Sequence, residues 1–429
     1  MFKKLFSNTI VKVFSLNSLI VFGKLISSFV VSKVSAIYLG PSGYAIVGNF
    51  KNVLQGVLGI TANGFESGII KYTAENKNND KQFNIIVSSA ITLSIIISFI
   101  IGIILMLFAN SLSTYVLKDA AFAFVFRYLA ILLPLVSLNF LIVYILNGLQ
   151  KLKLYSILLT LTNSLNAILS FIFIYFLDLE GALLASIIIP ALSFIFSLLF
   201  NDVRNILTRF FLNVKLISIN VLKSISIYIA MATYSSLLIS LTYLFIRNEI
   251  ISNLGIDTAG LWEAMNRISA FYMVFFSSLF TLYLLPQLAI NKTIAGYYQI
   301  MKTYFKYVIP FTIVLLAFVF VFRILIIKIF LTDAFVSIEK LVYLQLIGDF
   351  IKIIAFSIAY QFHAKKMVVF YFITDAILYV SFYILSIIFI NYFNLEGVFY
   401  AYIISTLAYL IAVSLFVYLN NENSLKEHV

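Results

Sequence analysis

The sequence predicts an all-α membrane protein with twelve transmembrane helices arranged in two pseudo-symmetric six-helix lobes. Three observations lead to this fold class: an extreme apolar composition, long runs without a charged residue, and an internal repeat. Hydrophobic residues make up 63% of the 429 residues and charged residues only 11%, against roughly 25% charged in an ordinary globular protein. A soluble protein is therefore excluded at the outset.

The helices follow from the spacing of the charges. A hydrocarbon core about 30 Å thick requires roughly 20 apolar residues per helix. Eight runs of that length hold no Asp, Glu, Lys or Arg: 82–117, 128–150, 154–177, 181–201, 224–246, 268–291, 376–395 and 397–421. Four apolar segments carry isolated charges: 13–38, 43–66, 305–331 and 341–363. Such continuous apolar runs fit membrane helices and not the short alternating strands of a barrel.

The distribution of basic residues predicts the topology. With the connections assigned alternately to two sides, one side holds 18 of the 29 Lys and Arg residues. The other side holds only Lys118, Arg247, Lys328 and Lys340. By the positive-inside rule both termini are expected in the cytoplasm. The net charge of +12 thus reflects topology, and a nucleic-acid partner is not expected.

The repeat divides the chain in two. "YFLDLEGALLASIII" from Tyr175 and "NYFNLEGVFYAYIIS" from Asn391 align at an offset of 216. Earlier in each half, an LG pair ends at Gly40 and at Gly255, one residue out of that register. We expect an N-terminal lobe over 1–210 and a C-terminal lobe over 211–429. Both copies have the same orientation because each has an even number of helices, as in transporters with parallel repeats.

Seven basic residues lie inside the predicted spans, where an unpaired charge is costly. They are Lys24, Lys33, Lys51, Arg127, Arg267, Arg323 and Lys352. The offset of 216 pairs Lys51 with Arg267, which places one cation at a matched depth in each lobe. Lys24 and Lys33 are nine residues apart and point in opposite directions on an ideal helix; a bend near Gly23 or the following serines would bring them together.

Each of these charges also has a structural interpretation. Lys33 could extend to the outer interface, and Arg127 and Arg323 suit interfacial anchors. Arg267 could be neutralised by Glu263, four residues earlier. Lys352 could pair with Asp349 in the same way. Otherwise, a cavity lined by fixed cations suits a large anion, because phosphate accepts charge-assisted hydrogen bonds, and a lipid pyrophosphate keeps its acyl chain in the bilayer.

Four segments resemble a known family. "YLGPSGYAIVGNFKN" (Tyr38–Asn52) is similar to the turn between the first two helices of polysaccharide flippases in the multidrug/oligosaccharidyl-lipid/polysaccharide exporter superfamily. "EGALLASIIIPAL" (Glu180–Leu192), "LYLLPQLA" (Leu282–Ala289) and "LQLIGDFIKIIAF" (Leu344–Phe356) also look like segments of that group. Across all twelve helices the chain most resembles the Wzx flippases of O-antigen and enterobacterial common antigen synthesis.

The resemblance implies a V-shaped, MATE-like molecule that exposes a cationic cavity alternately to each side of a Gram-negative inner membrane. It implies as cargo an undecaprenyl-pyrophosphate-linked oligosaccharide, most simply an O-antigen repeat unit. Membrane lipids, a polysaccharide polymerase and a chain-length regulator are the implied partners. The family's cavity cations correspond to Lys24, Lys33, Lys51 and Lys352, whereas Arg267 rests on the repeat alone.

Energy coupling is open at this point. The chain has no GxxxxGK[ST] phosphate loop, so ATP hydrolysis within it is not expected, and no cofactor or metal is expected. Asp349 and Asp375 are the candidates for coupling to a proton or cation gradient, although Asp375 could equally be hydrogen-bonded to a neighbouring helix. The lack of Cys excludes disulfides, and no cleavable signal peptide is expected before the first span.

Three alternatives remain. An enterobacterial common antigen or other polysaccharide-precursor flippase would share every feature above. A drug or cation antiporter of the same superfamily would need cavity carboxylates, whereas here Lys and Arg outnumber Asp and Glu. A membrane glycan polymerase would need a large outer loop with catalytic groups, and the outer connections here are short. We therefore do not expect an enzyme.

Overall fold

The chain is helical throughout the part that the structure describes. The structure is a computed structural model and describes residues 9–213, 216–291, 293–365 and 367–426. Its helices are α1 Thr9–Thr61, α2 Glu66–Glu75, α3 Asp80–Leu107, α4 Ala109–Leu112, α5 Ala123–Gly148, α6 Leu152–Ser197, α7 Asn201–Leu212, α8 Ile219–Leu254, α9 Ile256–Leu279, α10 Leu285–Ile290, α11 Ile294–Val321, α12 Arg323–Phe330, α13 Val342–Ala364 and α14 Val368–Lys426. No strand occurs in these residues, so the predicted all-α class is confirmed.

Several helix starts are set by a side-chain cap. The Asn79 side chain accepts a hydrogen bond from the backbone N–H of Gln82 at 3.1 Å, which caps α3. Thr293 Oγ1 accepts from the backbone N–H of Gly296 at 3.1 Å, which caps α11. These contacts satisfy donors that a helix leaves unpaired in its first turn.

Eight helices of the described residues are long and apolar enough to cross a membrane. Three of them, α1, α6 and α14, are too long for one crossing and contain one non-helical residue each, at Gly40, Asp178 and Asn394. Dividing the three helices there adds three segments. The charged helix α9, continued through a π-helical turn at Phe280–Leu284 into α10, supplies a further segment. The number of membrane-spanning segments in the described residues therefore fits the twelve transmembrane helices predicted from the sequence.

The predicted repeat appears in the backbone. Asp178 and Asn394, 216 residues apart, have positive φ angles of 45° and 51°. Three residues after each lies a glycine against a backbone carbonyl: a Cβ at Gly181 would lie 1.9 Å from Phe173 O, and one at Gly397 would lie 2.3 Å from the equivalent carbonyl. Only glycine allows this approach. The earlier LG pairs also match, since Gly40 and Gly255 have φ angles of 61° and 89°.

Two compact units make up the chain. The first, called here the N unit, comprises Met1–Leu39 and Asn49–Leu237; the second, the C unit, comprises Gly40–Gly48 and Leu238–Val429. The chain passes between the units twice inside α1, after Leu39 and after Gly48, and once inside α8, after Leu237. The six-helix lobes over 1–210 and 211–429 stay a prediction.

Each unit has its own core. In the N unit, Phe50 and Phe126 are fully buried and meet edge to face at 5.8 Å. In the C unit, a cluster of buried residues from α9, α11, α13 and α14 includes Phe276, Phe362 and Tyr409. Burial of such apolar area stabilises by roughly 25 cal/mol per Å² relative to water.

Candidate functional site: ionisable clusters inside the helices

An ion cluster of two arginines and one glutamate lies inside the C unit. Arg267 Nε donates to Glu263 Oε1 at 2.8 Å, one turn apart on α9. Glu263 Oε2 accepts from Arg247 on α8. The side chain of Arg247 is 0% exposed, that of Glu263 is 7% and that of Arg267 is 34%. The formal charges of these three side chains sum to +1, and Arg267 is the most exposed of the three.

The surroundings of Arg247 hold this cluster in place. The Arg247 guanidinium lies 5.3 Å from the Trp262 ring centre, in a cation–π contact. Trp262 is fully buried and stacks on Tyr243 at 5.5 Å. Gly48 of α1 packs directly on the charges: a Cβ there would lie 2.8 Å from the Glu263 carboxyl carbon. The close approach is possible because Gly48 has no side chain.

Asp349 on α13 is enclosed by hydrogen-bond donors. Its carboxylate accepts from Ser269 Oγ at 2.7 Å, from Tyr402 Oη at 2.7 Å, from Gln345 Nε2 at 3.1 Å and from the Tyr272 hydroxyl. Asp349 is 0% exposed. A carboxylate has about four acceptor positions, so four side chains from three helices use its full capacity.

Lys352 lies one turn from Asp349 and does not pair with it. Its Nζ lies 5.4 Å from the Phe356 ring centre and 5.5 Å from that of Tyr402. In the described residues no ion pair joins Lys352 to Asp349. The alternative in which Asp349 neutralises Lys352 is therefore not seen in the described residues, where Lys352 makes cation–π contacts instead.

Asp375 lies near the start of α14 and is nearly buried, at 7% exposure. It interacts electrostatically with the hydroxyls of Tyr379 and Tyr409. Tyr379 O also accepts a hydrogen bond from Thr242 of α8 at 3.4 Å. Asp375 thus lies in a tyrosine-rich part of the C unit.

Lys24 and Lys33 do not share a face in the N unit. Backbone angles inside α1 depart from helical values only at Gly40, so nine residues place the two lysines about 180° apart. Lys24 is exposed and Lys33 is half-buried. On the adjacent turns of the same helix, Ser27 Oγ accepts from Asn166 Nδ2 of α6 at 2.9 Å. The bend that would bring the lysines together is absent.

A carboxylate that sequence reasoning did not consider accompanies Lys24. Glu66 begins α2, is exposed, and interacts electrostatically with Lys24 and with Tyr144 and Tyr155. The Tyr144 hydroxyl donates to Asn63 Oδ1 at 2.8 Å just before α2. Lys51, the repeat partner of Arg267, is half-buried on α1.

The two expected anchors make local contacts. Arg127 donates to Asn110 Oδ1 at 3.2 Å. Arg323 donates to Phe320 O at 3.0 Å and lies 4.6 Å from the Phe320 ring centre. Both contacts are those of residues fixed near helix ends.

Arg247 is a correction to the sequence analysis, which placed it in an outer connection. The charge-free run ends at 246, but α8 continues to Leu254 and buries Arg247 completely. The repeat held the missing signal: Gly40 ends the first half of α1, so Gly255 should end the matching helix eight residues beyond Arg247. Composition alone ended the helix too early.

Within the described residues, no three His, Cys, Asp or Glu side chains lie close enough to hold a metal ion. The chemistry available is electrostatic: fixed cations within helical units, with few carboxylates to neutralise them. Such groups bind anions through charge-assisted hydrogen bonds.

Comparison with known protein families shows which family the chain belongs to. Residues 10–292 match the family described as polysaccharide biosynthesis protein. The chain belongs to this family. Among its relatives, the Lipid III flippases of Escherichia coli (strain K12) and Shigella flexneri are each 24% identical over 355 residues, covering 82% of this chain and 84% of theirs.

Solved structures show the same fold. A multidrug resistance MATE family transporter of the MOP superfamily in an inward-facing conformation superposes with a TM-score of 0.77 at 18% identity, covering 94% of this chain and 96% of its own. A MOP superfamily transporter from Pyrococcus furiosus gives a TM-score of 0.57 at 16% identity, covering 94% and 95%. The MATE-like architecture predicted from sequence is confirmed.

The relatives are a flippase and transporters, so the prediction that this chain is not an enzyme is confirmed as well. It is a multi-pass membrane protein of the polysaccharide biosynthesis family.

Proposed function

We propose that this protein flips an undecaprenyl-pyrophosphate-linked oligosaccharide from the cytoplasmic to the periplasmic leaflet by alternating access. The observation that carries the proposal is the excess of cations over carboxylates inside the helices, above all the net charge of +1 on the Arg247–Glu263–Arg267 cluster. The pyrophosphate is the most negatively charged group of a lipid-linked sugar, and buried cations bind such a group more strongly than exposed cations do. The kinship with Lipid III flippases supports a lipid-linked cargo.

The pyrophosphate ligands in this proposal are Lys24, Lys33, Lys51, Arg267 and Lys352. Arg267 and Lys352 have the best local support. Arg267 is one-third exposed beside its charge partner, and Lys352 rests on two aromatic rings with its charge uncancelled. Lys24 is exposed on α1, and Lys33 lies on the opposite face of that helix, so the two would act on the cargo at different stages of transport.

Coupling to a proton or cation gradient belongs to the proposal and is assigned to Asp349 or Asp375. Four side chains already fill the acceptor positions of Asp349, so an added cation or proton would have to break a hydrogen bond. Gradient-dependent transport that survives in both Asp349→Asn and Asp375→Asn would exclude this coupling.

We propose an O-antigen repeat unit as the cargo glycan, with an enterobacterial common antigen precursor or another polysaccharide precursor as the alternative. The site of action would be the inner membrane of a Gram-negative cell, with both termini cytoplasmic, beside a polysaccharide polymerase and a chain-length regulator. A drug or cation antiporter is disfavoured, because its cationic cargo would meet the charges of Lys24, Lys51 and Arg267.

Complementation tests the function. Cells that lack their own flippase would receive the wild-type gene or Lys24→Ala, Lys51→Ala or Arg267→Ala, with membrane levels measured for each. We expect wild type to restore surface glycan and the three well-expressed variants to fail. Arg323→Ala is the matched control, since Arg323, at the start of α12, contacts Phe320 near the end of α11 and lies outside the ionisable clusters. Wild-type failure across O-antigen and common-antigen hosts would refute the function; success of all three variants would refute the ligand assignment alone.

A further inference from the structure

The role of Arg247 follows from the formal charges of three neighbouring side chains in the C unit. Glu263 and Arg267 are one helical turn apart and ion-paired, and such a pair alone has no net charge. An anion approaching a neutral pair gains little. The second oxygen of Glu263 is bound instead to Arg247. The three groups together therefore keep one positive charge.

The positive charge is accessible to a ligand at Arg267. Arg247 is 0% exposed, whereas the Arg267 side chain is 34% exposed. Arg247 is also covered by Trp262, 5.3 Å from its guanidinium, and by Gly48 of α1. Arg267 contacts Glu263 through Nε, and an arginine has five N–H donors. Arg267 is thus the member of the cluster whose side chain a ligand can reach.

We infer that Arg247 is a positioning residue for anion binding: by neutralising and orienting Glu263, it leaves Arg267 as a net cation directed at a phosphate group. The inference rests on the proposed function, since it assumes that Arg267 faces a pyrophosphate. Arg247 itself never touches the cargo. Its effect is electrostatic and is transmitted through the two oxygens of Glu263.

The alternative is a purely structural role. A buried ion pair can be replaced by neutral residues of similar volume without loss of stability, whereas removing one partner is strongly destabilising. Stability therefore cannot distinguish the two roles, and the readout must be preference for charge. The preference is defined here as the affinity for undecaprenyl pyrophosphate divided by the affinity for undecaprenol, which has the same lipid chain without the phosphates.

The chain offers a built-in probe. It contains one tryptophan, and that residue, Trp262, contacts Arg247. Intrinsic fluorescence of the full-length protein in detergent would follow titration with either lipid. Four proteins are compared: wild type (cluster charge +1), Arg247→Met (0), Glu263→Gln (+2) and the double variant Arg247→Met/Glu263→Gln (+1).

We expect Arg247→Met to lower the pyrophosphate preference about tenfold or more, and the double variant to recover it. Glu263→Gln should keep or raise the preference. Lys118→Met, outside the cluster, is the control and should match wild type. If Arg247→Met proves unstable, the double variant and Glu263→Gln decide the question between them.

Three results would overturn the inference: an unchanged preference in Arg247→Met, a double variant that fails to recover a preference lost in Arg247→Met, or a loss of preference in Glu263→Gln. A wild-type protein that binds undecaprenol as well as undecaprenyl pyrophosphate would instead contradict the proposed function. The failure of the inference and the failure of the function are thereby separated.

Discussion

Asp349 gives the sharpest stability prediction. The carboxylate is fully buried and is the common acceptor for Ser269, Tyr272, Gln345 and Tyr402, which come from α9, α13 and α14. Asp349→Ala would remove that acceptor and leave four donors without it. Each unsatisfied buried donor costs about 1–3 kcal/mol. Because the hydroxyl groups of the donors can turn toward other acceptors, we expect a total loss of about 3–5 kcal/mol.

Thermal unfolding of the purified protein in detergent checks this value. Asp349→Asn keeps one acceptor oxygen and should lose less than Asp349→Ala. Asp333→Asn is the control, because Asp333 is highly exposed and pairs with Lys328 on the surface, where ion pairs contribute little. If Asp349→Ala unfolded at the wild-type temperature, the cage of four donors would not hold these helices together, and the reasoning would be refuted.

The remaining predictions concern the repeat. Gly181→Ala and Gly397→Ala should each destabilise the protein by about 1–3 kcal/mol, because the new methyl group overlaps a backbone carbonyl. Gly23→Ala is the control: its Cβ would meet only ordinary contacts, so this variant should unfold at or above the wild-type temperature. Equal losses of stability at all three sites would contradict the prediction. Asp178→Val and Asn394→Val should each cost about 1–3 kcal/mol because a β-branched residue disfavours positive φ. Glycine at either position should be tolerated, and a valine variant as stable as its glycine counterpart in the same unfolding assay would show that the kink does not depend on φ.

The helices and the repeat could be predicted because both depend on local sequence. Hydrophobic run length determines where a helix can cross a membrane. The repeat was read from matched letters, and its strongest structural signs, positive φ at Asp178 and at Asn394, fall at the predicted offset. Helix ends were harder to place, since a charge inside a span looks like the end of one. Arg247 was misassigned for that reason.

The partners of the charged residues could not be predicted. Glu263 and Arg267 were found because helical spacing relates them. Arg247 and Glu263 meet only because α8 packs on α9, and Asp349 meets Tyr402 only because α13 packs on α14. One sequence carries no information about which helix faces which. Lys24 and Lys33 show the converse, since a regular helix fixed their opposite directions and no bend changed them.

Flipping in a purified system tests the central claim most directly. The protein would be reconstituted into liposomes that contain a fluorescent undecaprenyl-pyrophosphate-linked saccharide, and an impermeant quencher would report how fast the saccharide moves between leaflets. We predict that wild type accelerates this movement and that the double variant Lys51→Met/Arg267→Met does not, while Arg127→Met behaves as wild type. Movement no faster than in protein-free liposomes, under both imposed and absent ion gradients, would contradict the account.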